Sequence, residues 1–352
     1  MHVLINNCLS ELEFGELQQF KNIGVIPLFL SINHGPMYLT LKEALDKRLI
    51  TITEISHGGS VPELKVINEA NIPVLLLDGE ELVGAKQNRV LNTTILLRED
   101  SVTIIPVSCT EQGRWSYVSD EFEDSDVVVP YCLRTGKMRS VTESLDRSSR
   151  YDSDQGAVWR QIRELSMKAK VSPRTGALRD VYKSKISDLN EYLKTFDCLP
   201  SQKGLLVFID GEVAGFDYVS SESAYRIFHP KLVKSYAMDA LLQASRSRRK
   251  PSVKKAKAFI EEAMRCSEKR YRSVGYGWDY RLESREVVGS ALVHQKNVIH
   301  MAFFRASETE RAGDTPGMSG FRRRRGFRAQ PGGSNNDGGF NGSGGFSNGV
   351  VI

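Results

Sequence analysis

Between residues 49 and 110 the apolar positions recur mostly at every second residue, the spacing of strands with one buried face. Leu49-Ile50-Thr51-Ile52-Thr53-Glu54-Ile55 and Glu63-Leu64-Lys65-Val66-Ile67-Asn68 alternate. Pro73-Val74-Leu75-Leu76-Leu77 and Thr93-Thr94-Ile95-Leu96-Leu97 are short continuous apolar runs, and Ser101 to Cys109 makes a longer strand. No helix of crossover length separates these segments, so the pattern predicts a sandwich or partly closed barrel rather than a parallel βαβ array. Upstream, Leu9, Leu12, Leu17 and Phe20 predict an amphipathic helix over 1–22, and residues 24–30 a strand. Thr40 to Lys47 reads as a short helix, with Thr40 as N-cap and Glu43 completing a capping box.

From Gln155 the period becomes helical. Val158, Ile162, Leu165 and Ala169 mark one helix, and Tyr182, Ile186, Leu189 and Leu193 a second. Residues 204–216 predict a hairpin around Asp210-Gly211, 231–245 and 252–270 two further helices, and 287–293 with 297–303 a closing hairpin. The segment 118–155 runs from acidic (Asp120 to Asp126) to basic and Ser-rich (Arg134 to Arg150), the composition of an exposed loop or linker. After Arg305 glycine and serine dominate, predicting a disordered tail. The fold class is therefore α+β. A β-rich domain spans 1–117, a linker 118–155, a mainly helical region with one or two β-hairpins 156–305, and the tail 306–352.

Composition narrows the picture. The chain is 40% hydrophobic and 26% charged, with no apolar run of membrane-spanning length. Its N-terminus lacks the basic-then-apolar order of a signal peptide. Cys8, Cys109, Cys132, Cys198 and Cys266 form no C-x-x-C pair, which fits free thiols in the cytoplasm. The histidines form no H-x-x-x-H pair, so no metal site is indicated. No cofactor can be named: Gly275-Tyr276-Gly277 neither follows a clear strand nor opens a helix, as a dinucleotide fingerprint would. Of the net charge of +5, residues 306–352 supply +2, leaving the body too weakly basic to imply a nucleic-acid surface by itself.

Candidate chemistry concentrates in 78–92, between two apolar runs. Glu80 and Glu81 point to opposite faces of an extended segment, as do Lys86 and Asn88 against Gln87 and Arg89. Lysine and arginine beside carboxamides suit phosphate and hydroxyl groups, so Lys86 and Arg89 are candidate anion ligands, and Gln87, Asn88 and Asn92 would fix hydroxyl or base edges. Cys109-Thr110-Glu111-Gln112-Gly113-Arg114-Trp115 ends the next strand. Arg114 there could grip phosphate and Trp115 stack on a planar ligand. Glu80, Glu81 and Glu111 are the candidate general bases. The competing reading is a buried ion-pair network that ties a hairpin to its neighbours. Cys109 fits a buried structural thiol, His300 a hydrogen-bonded core histidine, and Trp159 core packing or domain docking. Arg322, Arg323, Arg324 and Arg325, with Phe321 and Phe327, suit weak contact with RNA or an acidic partner, or a solvated tail.

The run Leu76 to Arg89, with Asn92-Thr93, resembles the hallmark of the ARPP domain family, "ARG and rhodanese-phosphatase-superfamily-associated protein", ARG being ADP-ribosylglycohydrolase. Cys109 to Trp115, Val158-Trp159, Ser172-Pro173-Arg174-Thr175, Ser273 to Gly277, Arg281-Leu282-Glu283 and Ser290 to His300 are similar to it too. The resemblance covers most of 20–305 and implies association with ADP-ribose metabolism. The expected function is thus a cytoplasmic protein that binds, and where there is chemistry hydrolyses, an ADP-ribose-like nucleotide. The alternative is a non-enzymatic interaction or scaffold module with an RNA-contacting tail.

Overall fold

The computed structural model describes residues 3–31, 35–56, 58–243 and 249–306. The tail with Arg322 to Arg325, the turn residue His57 and the end of the helix expected at 231–245 lie outside them. The architecture is α+β, as expected, with three sheets among the described residues.

A six-stranded sheet has the order Phe122–Val128, Glu80–Gly84, Arg89–Leu91, Ser101–Cys109, Glu63–Asn68, Ile50–Glu54. A three-stranded sheet, Ile95–Leu97, Val74–Leu76 and Leu39–Thr40, packs against it. The alternation read from the sequence is real: in Ile50–Glu54 and Glu63–Asn68 every second residue is buried. The two apolar runs flanking 78–92 pair with each other, Leu76 opposite Ile95, so the polar segment, buried at every position but Gly84, begins and ends beside the same strand pair.

A nine-stranded antiparallel sheet forms the other body. Gly204–Ile209 and Glu212–Val219 lie at its middle, flanked by Ile23–Phe29 on one side and Asn297–Arg305, Val287–His294, Trp278–Glu283 and Ser267–Arg272 on the other. Its central strands are apolar on both faces. Leu205 and Val207 join a core under the helix Glu222–Leu242, whereas Leu206 and Phe208 join one under the helices Val3–Ser10 and Val253–Met264. Burial on both faces explains why these strands read as continuous apolar runs. Because Ile23–Phe29 pairs with Gly204–Ile209, the boundary expected at 117 does not separate the sheets.

Four expectations need correction. The opening helix stops at Ser10, and the chain continues into the short strand Glu13–Phe14, which pairs with Ile23–Phe29. The linker at 118–155 is instead the strand Phe122–Val128 and the helix Tyr131–Ser148. That helix buries Leu133, Met138, Val141 and Leu145 on one face together with Arg134 and Lys137, and these two buried cations disguised the stripe. The second helix of the central region is broken at Lys185 into Leu178–Ser184 and Ile186–Thr195. Finally, the helix expected to 270 ends at Met264, and the charged run Ser267–Arg272 is an edge strand paired with Trp278–Glu283.

Candidate functional site

Segments 78–92 and 109–115 converge. Strand Glu80–Gly84 turns back through residues 85–88 into Arg89–Leu91, with Glu81 opposite Val90. Arg89–Leu91 pairs in turn with the end of Ser101–Cys109, and the Thr110 amide donates to the Asn88 carbonyl at 3.0 Å. Gly84 has φ +133, and a Cβ there would sit 2.5 Å from the Glu121 carbonyl, so the tight turn requires glycine.

Most of the polar side chains at this junction satisfy each other. Arg114 directs Nε and Nη2 at Glu111 (2.9 and 2.7 Å), Nη2 also at Asn88 (3.1 Å) and the Gly84 carbonyl (3.3 Å), and Nη1 at the carbonyls of Ala85 (2.5 Å) and Ser116 (3.0 Å). Every guanidinium nitrogen of Arg114 is thus engaged within the protein. Glu111 also accepts from Thr175 Oγ1 (2.7 Å) and the Asn88 amide (3.3 Å). Burial raises its pKa, but the Arg114 and Thr175 bonds outweigh burial and hold the carboxyl below its ordinary range. Arg89 is fully buried, paired with Glu54 at 3.3 Å and bonded to both oxygens of Gln87. Asn92 belongs elsewhere: it donates to the Tyr151 carbonyl and accepts from Ser108.

Three side chains of the group reach solvent: Trp115 widely, the Arg114 side chain at 13% and Lys86 only at its edge. Trp115 is 47% exposed and Lys86 9%. The Lys86 ammonium donates to the Gly58 carbonyl (2.8 Å) and lies 5.3 Å from the Trp115 ring and 5.1 Å from the Tyr117 ring. The Arg89 guanidinium carbon is 5.7 Å from the same indole. A half-open aromatic surface backed by two cations results.

The three carboxylates differ in kind. Glu80 bonds Lys231 at 2.7 Å, and Lys231 also bonds Asp124 at 2.5 Å. One ammonium between two carboxylates in a buried site leaves the Glu80 carboxyl raised, chiefly by burial. Glu81 accepts from Thr110 Oγ1 at 2.7 Å, while its Oε2 has no hydrogen-bond partner. Burial pushes its pKa up to about 7, opposed by Thr110 and by Ser125, whose hydroxyl is near without reaching bonding geometry. Cys109 is buried with its thiol pushed up to about 11, mainly by burial, which is inert chemistry.

Pattern reading missed Glu54 and Thr175, which sit in unremarkable strand and loop contexts, and a second buried lattice. Asp78 is ion-paired with Lys137. Arg134 makes a two-pronged pair with Asp217 (2.5 and 3.0 Å), which also accepts from Tyr236 at 2.9 Å. The Thr94 hydroxyl lies 2.9 Å from His300 Nδ1, and Asp279 binds both Thr93 and Arg281 at 2.7 Å. His300 is thus the hydrogen-bonded core histidine expected. Three acids and three bases balance, which is what permits burial of so many charges.

This fold and site define an α+β domain in which interlocked buried ion pairs underlie one aromatic rim. The chain belongs to the family of the ARPP-1 domain, described as the ARG and Rhodanese-Phosphatase-superfamily-associated Protein domain, whose profile matches residues 11–304. Searches of curated proteins and of solved structures found no match. No helix among the described residues is long and apolar enough to cross a membrane.

Proposed function

We propose that the protein is a cytoplasmic nucleotide-binding protein whose ligand, of ADP-ribose type, docks at the rim of Trp115, Tyr117 and Lys86. One observation carries this: a half-exposed indole with Lys86 and Arg89 set against it. A purine over that indole would cover apolar surface, and Lys86 supplies the positive charge a diphosphate needs, the buried Arg89 being paired with Glu54. The ADP-ribose class comes from the family's association with ADP-ribosylglycohydrolase. Lys86 is the direct ligand, while Gln87, Asn88, Arg89 and Arg114 hold the rim in shape.

Any hydrolytic step would fall to Glu81. Glu80 is held by Lys231 and Glu111 by Arg114, whereas Glu81 keeps an oxygen without a partner and a pKa raised to about 7 but is fully buried, so a base role requires an opening from the rim to its carboxyl. Binding is the primary claim. Calorimetric titration of ADP-ribose into the full chain should show association, and Trp115→Ala should weaken it roughly 5- to 150-fold, the range for losing one stacked base. No heat with ADP-ribose or NAD on the wild type would remove the reading.

The saturation of Arg114 favours a second reading, a non-enzymatic module in which this network is purely structural. It predicts that Arg114→Ala lowers the melting temperature while no nucleotide raises that of the wild type.

A further inference from the structure

The edge of the large sheet at Ser267–Arg272 carries a groove of about 480 Å³ whose lining shares no residue with the Trp115 rim. Four cations line it from three separate segments: Arg98, Arg270 and Arg272, and Lys296. Among the described residues their side chains make no hydrogen bond or ion pair, and the three arginines face aromatic rings. Arg270 and Arg272 lie 4.2 and 4.8 Å from the Trp278 ring, and Arg98 lies 5.2 Å from the Tyr276 ring, which also stacks on His294 at 4.8 Å. Of the described carboxylates, Glu99 acts on Tyr276 and His294, and Glu268 stands on the same face of the edge strand as Arg270 and Arg272.

The local sequence is built for this arrangement. A Cβ on Gly275 would stand 2.1 Å from the Leu96 carbonyl, and one on Gly277 2.3 Å from that of Val293. With glycine at both places the loop lies flat on its neighbours, and the Tyr276 amide donates to Leu96 at 2.7 Å. That contact brings Tyr276 beneath Arg98. Arg270 and Arg272 share one face of the edge strand Ser267–Arg272, with Arg272 directly opposite Trp278. The short Gly-Tyr-Gly run, useless as a dinucleotide fingerprint, is therefore the hinge of a basic groove.

We propose that this groove binds single-stranded nucleic acid through its phosphodiester backbone. A guanidinium laid against a ring keeps its in-plane N–H donors free and fixed in direction, ready for phosphate oxygens. With Trp278 facing two guanidinium groups and Tyr276 stacked on His294, recognition runs chiefly through phosphate and tolerates sequence. A single flexible strand can enter a groove of this size, whereas a duplex presents a broad convex cylinder. The claim is independent of the Trp115 rim and of the arginines in the tail.

The test is fluorescence anisotropy of a labelled twelve-nucleotide single strand with the full chain over a salt series. Binding should be strongly salt-dependent, and Arg270→Gln/Arg272→Gln should weaken it at least tenfold. Loss of two phosphate contacts should also flatten the log–log salt slope by about 1.4, at roughly 0.7 per contact. Arg270→Lys/Arg272→Lys should keep much of the affinity, because charge remains. Both arginines are on an exposed strand, so unchanged melting temperatures will certify the fold. Full affinity in the glutamine variant, loss only on replacing Arg322 to Arg325, or equal affinity for a duplex would overturn the proposal. So would displacement of the strand by equimolar pyrophosphate or ADP-ribose, which would assign the groove to a small phosphate ligand.

Discussion

Glu80 and Glu81 show how much one peptide unit decides. Alternation along the strand sends the first to Lys231 and the second to Thr110, as the sequence implied. The sequence could not show that Lys231, 151 positions away, would meet Glu80, while one oxygen of Glu81 would meet nothing. The consequence is a pH effect. The folded pKa of Glu81, about 7, lies above its ordinary 4.5, so the folded state holds the proton more tightly than the unfolded chain. The resulting penalty is absent below about pH 4.5, grows as pH rises to 7 and then levels off at about 3 kcal/mol. Glu81→Gln retains an acceptor for Thr110 and has nothing to ionise. Its stability in urea should match that of the wild type near pH 4.5 and exceed it by up to that amount at pH 8. A difference independent of pH would show that Glu81 is not titrating in this window.

Among elements, those readable in the sequence were those whose stability is local. The helix Leu41–Asp46 is the clearest: the Thr40 amide donates to Glu43 Oε2 at 2.9 Å, and the Glu43 amide to Thr40 Oγ1 at 3.2 Å. Thr40→Ala should therefore cost about 1 kcal/mol by chemical denaturation, with Thr40→Ser close to neutral, since serine restores the acceptor. The hairpin at Asp210-Gly211 was legible for a similar reason, both residues taking positive φ in a two-residue turn. What stayed hidden depends on distant partners. Tyr131–Ser148 buries Arg134 and Lys137, and Trp278–Glu283 buries Asp279 and Arg281, so charged residues occupy places where a pattern reader looks for apolar ones. The candidate site divides the same way. Convergence of 78–92 with 109–115 followed from neighbouring strands, but the inward saturation of Arg114 required the positions of Gly84, Ala85 and Ser116.

Across the whole molecule the buried lattice joins what the sequence suggested were separate halves. Asp78 leaves the three-stranded sheet, Arg134 and Lys137 stand on the helix Tyr131–Ser148, and Asp217 and His300 belong to the large sheet. A lattice shared by both bodies makes their stabilities interdependent, because separating them would strand charges in a low-dielectric interior. Lys137→Met removes the ammonium and leaves Asp78 buried without its ion-pair partner, a change that should cost about 3–5 kcal/mol. Adding Asp78→Asn removes the orphaned charge as well, so the double variant should recover a good part of the loss. Far-UV circular dichroism and tryptophan fluorescence should report one coincident transition in both variants, since Trp115 follows the six-stranded sheet and Trp278 lies in the nine-stranded one. If Lys137→Met instead separates the two signals, the sheets fold as independent units and the lattice is a contact between them rather than a common core.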